Sequence, residues 1–345
     1  MEKEEILNEL RKITYPGFSR DIVSFGLVKD VLIEGKKIKV VLAFTTESPE
    51  KRGAVQKAIL KHLQILPGIE SITFEAFEVP TRPTADRTTL EQRPIPGVQS
   101  IIAVASGKGG VGKSTVAVNL ACTLQMLGRK VGLLDADIYG PSIPIMMGVH
   151  ERPNITSDKK IIPHKKHGIS MMSIGFFLEG DNPVIWRGPM VTGAIRQLLN
   201  DCEWGELDYL IIDLPPGTGD AQLSLVQLAP VKGAVIVTTP QDVALIDAKK
   251  GVLMFQKLEV AILGIIENMS FFICPHCHGK TDIFSEGGGR REASRLNVPF
   301  LGVIPIDPTV RVGGDGGVPV VVGHPDSEVS KAFLNAAKTL DQRLS

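Results

Sequence analysis

Hydrophobic residues in the first eighty positions recur with the spacing of short helices and strands. Apolar residues three or four apart predict helices, and alternating runs predict strands. Glu34-Gly35-Lys36 supplies a turn between two such strands. The predicted elements, in order, are a helix over 4–13, strands over 22–33 and 38–44, a helix over 48–66 and a strand over 69–77. This order predicts a small α+β domain over residues 1–79.

The pattern changes beyond residue 98, where uniformly apolar runs alternate with helical stretches. Strands that are apolar throughout are typical of a parallel sheet with helices on both faces. The predicted strands are 101–105, 130–134, 207–212, 234–238, 263–266 and 300–304, and 327–344 predicts a closing amphipathic helix. Residues 99–345 are therefore predicted to form an α/β domain, and ligand sites in such domains lie at the carboxyl ends of the strands.

Residues 80–98 differ in composition from both parts. Between Val79 and Val98 few residues are apolar, and prolines stand among threonine, arginine and aspartate. The prolines are Pro80, Pro83, Pro94 and Pro96. This composition predicts an extended, semi-rigid linker.

Composition narrows the class of protein. The chain has 345 residues, 43% of them hydrophobic, which is enough for an α/β core and a second small domain. The formal net charge is zero, so we expect no electrostatic binding to nucleic acid or to an anionic membrane. No run is apolar enough to span a bilayer, and Met1 to Glu5 lacks the character of a signal or transit peptide. We therefore expect a cytoplasmic protein.

The most informative motif reads G-K-G-G-V-G-K-S-T and lies between an apolar strand and a helix. In that context, glycine backbone N–H groups converge on phosphate oxygens, and the helix N-terminus adds partial positive charge. Lys113 is expected to reach the terminal phosphates, and the Ser114 hydroxyl is expected to hold Mg²⁺. The predicted nucleotide-binding residues here are Gly107, Lys108, Gly109, Gly110, Val111, Gly112, Lys113, Ser114 and Thr115.

Lys108, directly after the first glycine, distinguishes this loop from an ordinary Walker A motif. The loop resembles the deviant Walker A motif of the MinD/ParA-like ATPases. The resemblance implies a homodimer that sandwiches two nucleotides, in which Lys108 reaches the ATP of the partner. It would there stabilise charge on the transferred phosphoryl group, as an arginine finger does. A solvated loop lysine is the alternative.

Three acidic residues follow apolar strands. Asp135 and Asp137 come after Leu133-Leu134, and Asp213 ends a strand in the Walker B arrangement. The resemblance implies that Asp137 positions the attacking water and gives Asp135 a magnesium-side role. A turn acid that caps a helix is the alternative for either residue. Asp213 is predicted to accept a hydrogen bond from a magnesium-bound water, and Pro215 to Asp220 is predicted to be the switch II loop.

Asn268 follows the predicted strand 263–266. An asparagine amide can pair with donor and acceptor atoms of adenine. The resemblance implies a base-reading asparagine at this position, and an ordinary turn asparagine is the alternative.

Cys274 and Cys277 form the only C-x-x-C motif of the chain. A redox dithiol would normally begin the helix of a thioredoxin-like unit, which this context does not match. A zinc site needs four ligands, and the interleaved His276 and His278 fit poorly into one tetrahedron with these cysteines. A two-fold dimer would bring together four thiolates, which suit zinc or an iron–sulfur cluster. The other two cysteines, Cys122 and Cys202, are expected to be packed thiols.

Further motifs make the resemblance more specific. In order after the deviant Walker A loop come Ile185 to Met190, Trp204 to Tyr209, Asp213 to Asp220, Glu267 to Ser270, the cysteine pair, Gly302 to Pro305 and Asp315 to Val320. Together they resemble the Mrp/ApbC iron–sulfur carrier ATPases over residues 99–345. Residues 1–79 more weakly resemble the small domain often fused before that family. Tyr15-Pro16-Gly17 and Thr46 to Pro49 replace its usual motif and cysteine.

The resemblance implies a function. It implies a homodimer that binds ATP, Mg²⁺ and a labile 4Fe–4S cluster, with Cys274 and Cys277 of each chain as cluster ligands. The dimer would pass the cluster to apo iron–sulfur proteins under the control of ATP hydrolysis, with Lys108, Lys113 and Asp137 as catalytic residues. The alternatives are a MinD/ParA-like positioning or partitioning ATPase and a zinc-bridged nucleotide-switch dimer.

Overall fold

The structure is a computed structural model, and it describes residues 3–14, 21–24, 27–44, 49–66, 68–78, 92–178, 188–274, 276–277 and 279–344. The chain divides into two compact units, residues 1–89 and 90–345. Over the described ranges, no helix is both long enough and apolar enough to cross a membrane.

The first unit has the predicted order of elements. They are α1 (Lys3–Leu10), β1 (Val28–Glu34), β2 (Lys37–Phe44), α2 (Pro49–Leu63) and β3 (Ser71–Glu78). Strand β2 lies in the middle of the sheet, antiparallel to β1 and parallel to β3. Gly35 has φ +62°, a left-handed conformation that favours glycine, and this allows the tight turn between β1 and β2. Ile6, Leu10, Ile59 and Leu63 are fully buried in the small core beneath the sheet.

The prediction of a strand from residue 22 is wrong at its beginning. The Asp21 carboxylate accepts hydrogen bonds from the backbone N–H groups of Val23 and Ser24, at 3.0 and 2.8 Å. This local turn occupies donors that a strand would need at residues 23 and 24, and the observed strand β1 begins at Val28.

The second unit contains the remaining elements. They are β4 (Val98–Ala105), α3 (Lys113–Met126), β5 (Val131–Asp135), α4 (Ile143–Met147), β6 (His164–Lys166), β7 (Ile169–Ser173), α5 (Gly188–Asn200), β8 (Leu207–Asp213), α6 (Asp220–Leu228), β9 (Val231–Thr238), α7 (Asp242–Lys257), β10 (Ile262–Glu267), β11 (Phe272–Ile273), β12 (Lys280–Thr281), α8 (Gly288–Arg295), β13 (Phe300–Val303), α9 (Pro308–Asp315), α10 (Val320–Gly323) and α11 (Glu328–Leu344).

The main sheet of this unit has the strand order β13-β10-β9-β4-β8-β5-β7-β6. Every neighbouring pair is parallel except the edge pair β6 and β7. In β5 all five residues are buried, which requires cover on both faces because successive side chains point in opposite directions. The predicted α/β fold with a preceding small α+β domain is confirmed.

The predicted linker 80–98 is too long at its C-terminal end. Residues 79–91 lie outside the described part of the chain, but from Gln92 the backbone belongs to the second unit. The Gln92 side chain donates to the Val226 carbonyl at 2.7 Å, and the Arg93 N–H donates to the Leu228 carbonyl at 3.2 Å. Ile95 is buried in the core, which explains why residues 92–97 are not part of a free tether.

Two hairpins were not predicted from the sequence. One is the edge pair β6 and β7, and the other joins β11 to β12 around the cysteine motif. Their strands have two to five residues, too few to give a clear periodic signal. The predicted closing helix is confirmed as α11, with Val329, Phe333 and Leu340 fully buried.

Candidate functional site

The carboxyl ends of four neighbouring or nearly neighbouring strands form the candidate site. The glycine loop follows β4, the two aspartates of 135–137 follow β5, Asp213 ends β8 and Asn268 follows β10. In the strand register, Asp213 is the partner of Val104 on one side and of Asp135 on the other. The parallel sheet therefore brings together residues that are more than a hundred positions apart in sequence.

The glycine loop depends on backbone positions that favour or require glycine. Gly110 and Gly112 have φ +81° and +78°, which other residues rarely adopt. A side chain at Gly107 would collide with the backbone of Asp247 on α7, and one at Gly112 would collide with the Asn268 amide. The loop therefore lies tightly between α7 and the segment after β10, and it leads directly into the N-terminus of α3.

Lys113 lies at the centre of the site and is almost fully buried, with 6% exposure. Its Nζ is 2.7 Å from Oδ1 of Asp213 and 3.4 Å from Oδ2 of Asp137. It also donates to the Ser114 hydroxyl at 3.2 Å. A buried ammonium between two carboxylates is the geometry that keeps all three charges inside the protein.

Asp213 is completely buried, and burial raises the pKa of its carboxyl, whereas the Lys113 ammonium lowers it. One of its two oxygens, Oδ2, has no hydrogen-bond partner among the described residues. A buried carboxylate oxygen without a partner is unfavourable in a protein interior. This oxygen is therefore suited to accept a hydrogen bond from a cation-bound water.

Asp135 is also completely buried, but its carboxylate is directed into the following loop. Its oxygens accept hydrogen bonds from the Ser173 hydroxyl at 2.9 Å and from the N–H groups of Asp137 and Ile143, both at 3.2 Å. Burial, reinforced by the charge of Asp213, raises the pKa of Asp135 to about 7. In this conformation Asp135 holds the loop that carries Asp137, and the magnesium-side role expected for Asp135 from the resemblance stays a prediction.

Asp137 faces the glycine loop from the other side. Its Oδ1 accepts the N–H of Tyr139 at 3.2 Å, and its Oδ2 points to Lys113. Asp137, but not Asp135, lines a cavity of about 210 Å³ above the loop. The other lining residues are Ser106, Lys108, Gly109, Gly110, Gly112, Lys113, Ser114, Thr115, Ser142, Met146 and Pro216.

A larger cavity of about 660 Å³ adjoins the first. The two cavities share Thr115, Ser142 and Met146, so they form one continuous cleft. Apart from Asn268 and a few other polar residues, the second cavity is mainly apolar, and Met269, Ile304, Pro305 and Ile306 contribute to its lining. A polar cavity at a glycine loop that continues into an apolar one matches the phosphates and base of a nucleotide.

Asn268 lies where the two cavities meet the glycine loop. It is 6% exposed, and its Nδ2 donates to the Val111 carbonyl at 2.9 Å. Ser142, Met146 and Ile306 also line the cleft, although no sequence motif indicates them. Ser142 and Met146 come from α4 and its cap, and this helix has only five residues. A segment so short has no periodicity that a sequence can reveal.

Lys108 and the predicted switch II loop border the smaller cavity. Lys108 is half-buried, and within the described ranges its ammonium has no hydrogen-bond or ion-pair partner. Gln222, which the sequence analysis missed, organises the switch II loop. Its amide donates to the carbonyls of Pro215 and Gly217 at 2.8 and 2.9 Å, and its side-chain oxygen accepts the Gly219 N–H. The Gly217 N–H in turn donates to the Ser106 carbonyl at 2.8 Å, which links this loop to the glycine loop.

The cysteine pair lies at the tip of the hairpin formed by β11 and β12. The Cys274 N–H donates to the Gly279 carbonyl at 3.0 Å and closes the tip. The N–H groups of Cys277 and His276 point to the Cys274 sulfur and hold the pKa of this thiol below its usual range. Cys274 is partly exposed and Cys277 is exposed, so both thiols are accessible for metal binding.

The other two cysteines are packed thiols, as predicted. Cys122 and Cys202 are buried, and burial raises the pKa of each to about 12. In the part of the chain that the structure describes, no three histidine, cysteine or acidic side chains cluster as metal ligands. Four of the motif segments named from the sequence lie wholly or partly outside that part. The residues concerned are Tyr15 to Gly17, Thr46 to Ser48, Ile185 to Arg187, and Pro275 with His278.

Comparison with protein families gives two matches. Residues 97–341 match a family described as "NUBPL iron-transfer P-loop NTPase", and residues 3–74 match one described as "Iron-sulfur cluster assembly protein". Among curated relatives, an "Iron-sulfur cluster carrier protein" of Synechocystis sp. is 45% identical, covering 99% of this chain and 98% of the relative. The "Iron-sulfur cluster transfer protein NUBPL" of Mus musculus is 50% identical, covering 74% and 80%.

Solved structures resemble a large part of this chain. A nucleotide-binding protein of Archaeoglobus fulgidus in complex with ADP has 39% identity and a TM-score of 0.61, covering 72% of this chain and 96% of its own. The cell division ATPase MinD of Pyrococcus furiosus has 26% identity and a TM-score of 0.54, covering 71% and 99%. The similarity therefore includes both sequence and fold.

Proposed function

This chain belongs to the family of NUBPL iron-transfer P-loop NTPases, and from that premise we propose how its own residues bind ATP and an iron–sulfur cluster. Iron–sulfur cluster carriage is its function, since relatives with that name match it at 42–45% identity over nearly the whole chain. The proposal adds three specific features: ATP as the hydrolysed nucleotide, a homodimer, and a 4Fe–4S cluster held between the two chains.

The nucleotide occupies the cleft formed by the two adjoining cavities. Its phosphates lie on the glycine-loop N–H groups at the start of α3, where Lys113 meets the terminal phosphates. The base lies in the apolar cavity, where the Asn268 amide exchanges the Val111 carbonyl for an adenine acceptor. Mg²⁺ would be held by the Ser114 hydroxyl and, through a bound water, by Oδ2 of Asp213, which has no hydrogen-bond partner among the described residues. Bound there, the ion would screen charge on the phosphates.

Hydrolysis depends on Asp137 and Lys108. Asp137 faces the end of the glycine loop, where its carboxylate orients the attacking water. Asp135 acts through the loop: its carboxylate holds the N–H groups of residues 137 and 143 and so places Asp137. Lys108 crosses to the nucleotide of the second chain and stabilises the transferred phosphoryl group.

A second copy of the chain completes both sites. The β11–β12 hairpin of one chain provides two accessible thiols, so a cluster with four cysteine ligands needs the hairpins of two chains. The Lys108 ammonium has no partner within its own described chain, as expected for a group that acts on a partner. Two exposed apolar side chains, Val243 and Ile246, belong to α7, the helix whose backbone at Asp247 lies against Gly107 of the glycine loop. They provide an apolar contact surface for the second copy.

The observation that carries the proposal is the hairpin tip, where backbone N–H groups favour a thiolate at Cys274 beside an exposed Cys277. The test is anaerobic reconstitution with ferrous iron and sulfide, followed by iron and sulfide analysis, absorption spectra and determination of the molecular mass. We expect about two iron atoms per chain in a dimer, as one four-iron cluster shared by two chains requires.

Cys274→Ser should remove the cluster and leave nucleotide binding unchanged. The matched control is Cys202→Ala, which changes a buried thiol far from the hairpin in sequence and should keep full iron content. A cluster that survives Cys274→Ser contradicts the proposal. Zinc instead of iron in protein isolated without oxygen would favour the zinc-bridged alternative. Transfer is then measured as activation of an apo-protein that needs a 4Fe–4S cluster, with and without MgATP.

A further inference from the structure

Glu267 is a completely buried carboxylate that has no role in the proposal above. It ends β10 and directly precedes Asn268, which lines the apolar cavity. A buried carboxylate is costly unless several donors satisfy it. The identity of those donors therefore indicates what Glu267 holds in place.

The three donors to the Glu267 carboxylate lie at the two ends of residues 271–287, the segment that carries both cysteines. The Ser270 hydroxyl donates to Oε1 at 2.5 Å, and Ser270 is the last residue before that segment. The N–H of Gly287 donates to Oε1 at 3.0 Å, and the N–H of Gly289 donates to Oε2 at 2.5 Å, where the segment returns into α8. One carboxylate thus joins the two ends of residues 271–287. We call this set of three hydrogen bonds to Glu267 the clamp.

The clamp is closely fitted. A side chain at Gly289 would stand 3.0 Å from Cβ of Glu267, so the close approach depends on glycine. Gly287 has φ +76°, which also favours glycine. Because Oε1 and Oε2 both accept backbone N–H groups at the start of α8, the carboxylate also meets the positive end of that helix.

The same short segment contacts the nucleotide cleft. The Asn268 amide donates to the Val111 carbonyl of the glycine loop, and its backbone N–H donates to the Thr238 carbonyl at 2.8 Å. Met269 has φ +55°, an unfavourable conformation for a residue other than glycine, and it also lines the apolar cavity. A base that engages Asn268 therefore acts on a strained peptide between the cavity and the clamp.

We propose that Glu267 is a positioning residue that couples occupancy of the nucleotide cleft to the geometry of Cys274 and Cys277. The inference rests on the proposed function, and it adds the connection between its two sites. Movement of residues 268–270 on nucleotide binding changes the bonds that Glu267 makes to Ser270, Gly287 and Gly289. The hairpin between those bonds then shifts, and with it the two thiols.

The test uses the reduced, metal-free full chain and the thiol reagent dithiobis-nitrobenzoate. Cys122 and Cys202 are buried, so the fast phase reports Cys274 and Cys277. Rate constants are measured without nucleotide, with MgADP and with a non-hydrolysable Mg–ATP analogue. In the unaltered chain we expect nucleotide to change the fast rate constant by at least about threefold. In Glu267→Gln we expect the rate constants to coincide, because an amide cannot accept three hydrogen bonds as a carboxylate does.

Two further measurements separate coupling from structural damage. The nucleotide Kd of Glu267→Gln should stay within about threefold of the unaltered chain, while amide hydrogen exchange at Gly287 and Gly289 should become roughly tenfold faster as charge-assisted hydrogen bonds weaken. The matched control is Glu292→Gln, which removes a buried carboxylate of α8 whose one side-chain partner among the described residues is Arg295. It should keep the nucleotide response.

A nucleotide response that persists in Glu267→Gln, or that is absent from the unaltered chain, overturns the proposal. If Glu267→Gln does not fold, Ser270→Ala decides, because it removes one donor and keeps the charge. A full response in Ser270→Ala then also overturns it. Iron content after reconstitution is measured on the same samples. A chain that loads a cluster without a nucleotide response disproves the coupling alone, whereas a chain that loads none disproves the carrier proposal.

Discussion

Nζ of Lys113 lies 2.7 Å from Oδ1 of Asp213, and neither side chain is exposed by more than 6%. The ammonium that is expected to meet the phosphates is therefore also the cation that neutralises the buried Walker B carboxylate. Asp137, 3.4 Å away, shares the same cation. We therefore expect nucleotide binding and the stability of the fold to depend on one charge, so that both effects of its removal can be measured together.

Lys113→Ala should weaken nucleotide binding and also destabilise the fold. The substitution leaves two carboxylates without their cation in a buried site, and loss of one partner of a buried pair typically costs about 3–5 kcal/mol. The free energy of unfolding is measured in urea without nucleotide, and the nucleotide Kd is measured by calorimetry. A variant that is as stable as the unaltered chain would contradict the buried triad of charges.

Lys108→Ala should slow hydrolysis and leave both the stability of the fold and nucleotide binding nearly unchanged. Lys108 is half-buried and makes no ion pair among the described residues, so the free energy of unfolding should change by no more than about 0.5 kcal/mol. If Lys108 acts in trans, hydrolysis should slow by roughly 10³-fold or more, while the nucleotide Kd stays nearly the same. Steady-state phosphate release measures this effect. Unchanged turnover would exclude the role in the partner's site.

Ile246→Asp should prevent formation of the dimer. Ile246 is 58% exposed on α7 and directly precedes Asp247, whose backbone lies against Gly107. If this face of α7 is the contact surface, a charge at Ile246 would be buried without a partner in the dimer. Light scattering with a non-hydrolysable ATP analogue should give the mass of one chain for the variant and of two for the unaltered protein. Ile155→Asp is the matched control, since Ile155 is equally exposed but precedes the edge strand β6. A mass of two chains for Ile246→Asp would exclude this face of α7 as the contact surface.

The stability of the fold should depend on pH through Asp135. Burial raises the pKa of this carboxyl from 3.8 to about 7. Between these values the folded protein holds a proton that the unfolded chain has lost, so the free energy of unfolding falls as pH rises from 3.8 to about 7. Asp135→Asn has no such proton, and its free energy of unfolding should fall less over this range. Urea unfolding at several pH values compares the two, and parallel curves would contradict the raised pKa.

The main strands and the nucleotide loop could be predicted because their signals are local. Uniformly apolar runs gave β4, β5, β8, β9, β10 and β13 close to their observed bounds. The glycine pattern of 107–112 reflects backbone positions that other residues rarely adopt, so its meaning does not depend on distant contacts. By contrast, the strand predicted from residue 22 was wrong because the Asp21 side chain competes for the same backbone donors.

The sequence by itself determined the type of fold, the identity of the phosphate loop and the pairing of two cysteines three positions apart, since each depends on neighbours along the chain. Only the tertiary structure decided that Asp135 faces Ser173 and its own loop, whereas Asp137 faces Lys113. It also decided that Glu267 joins the two ends of the cysteine segment. The physical reason is that buried charges take the donors that the fold brings to them, and parallel strands bring together donors that are far apart in sequence.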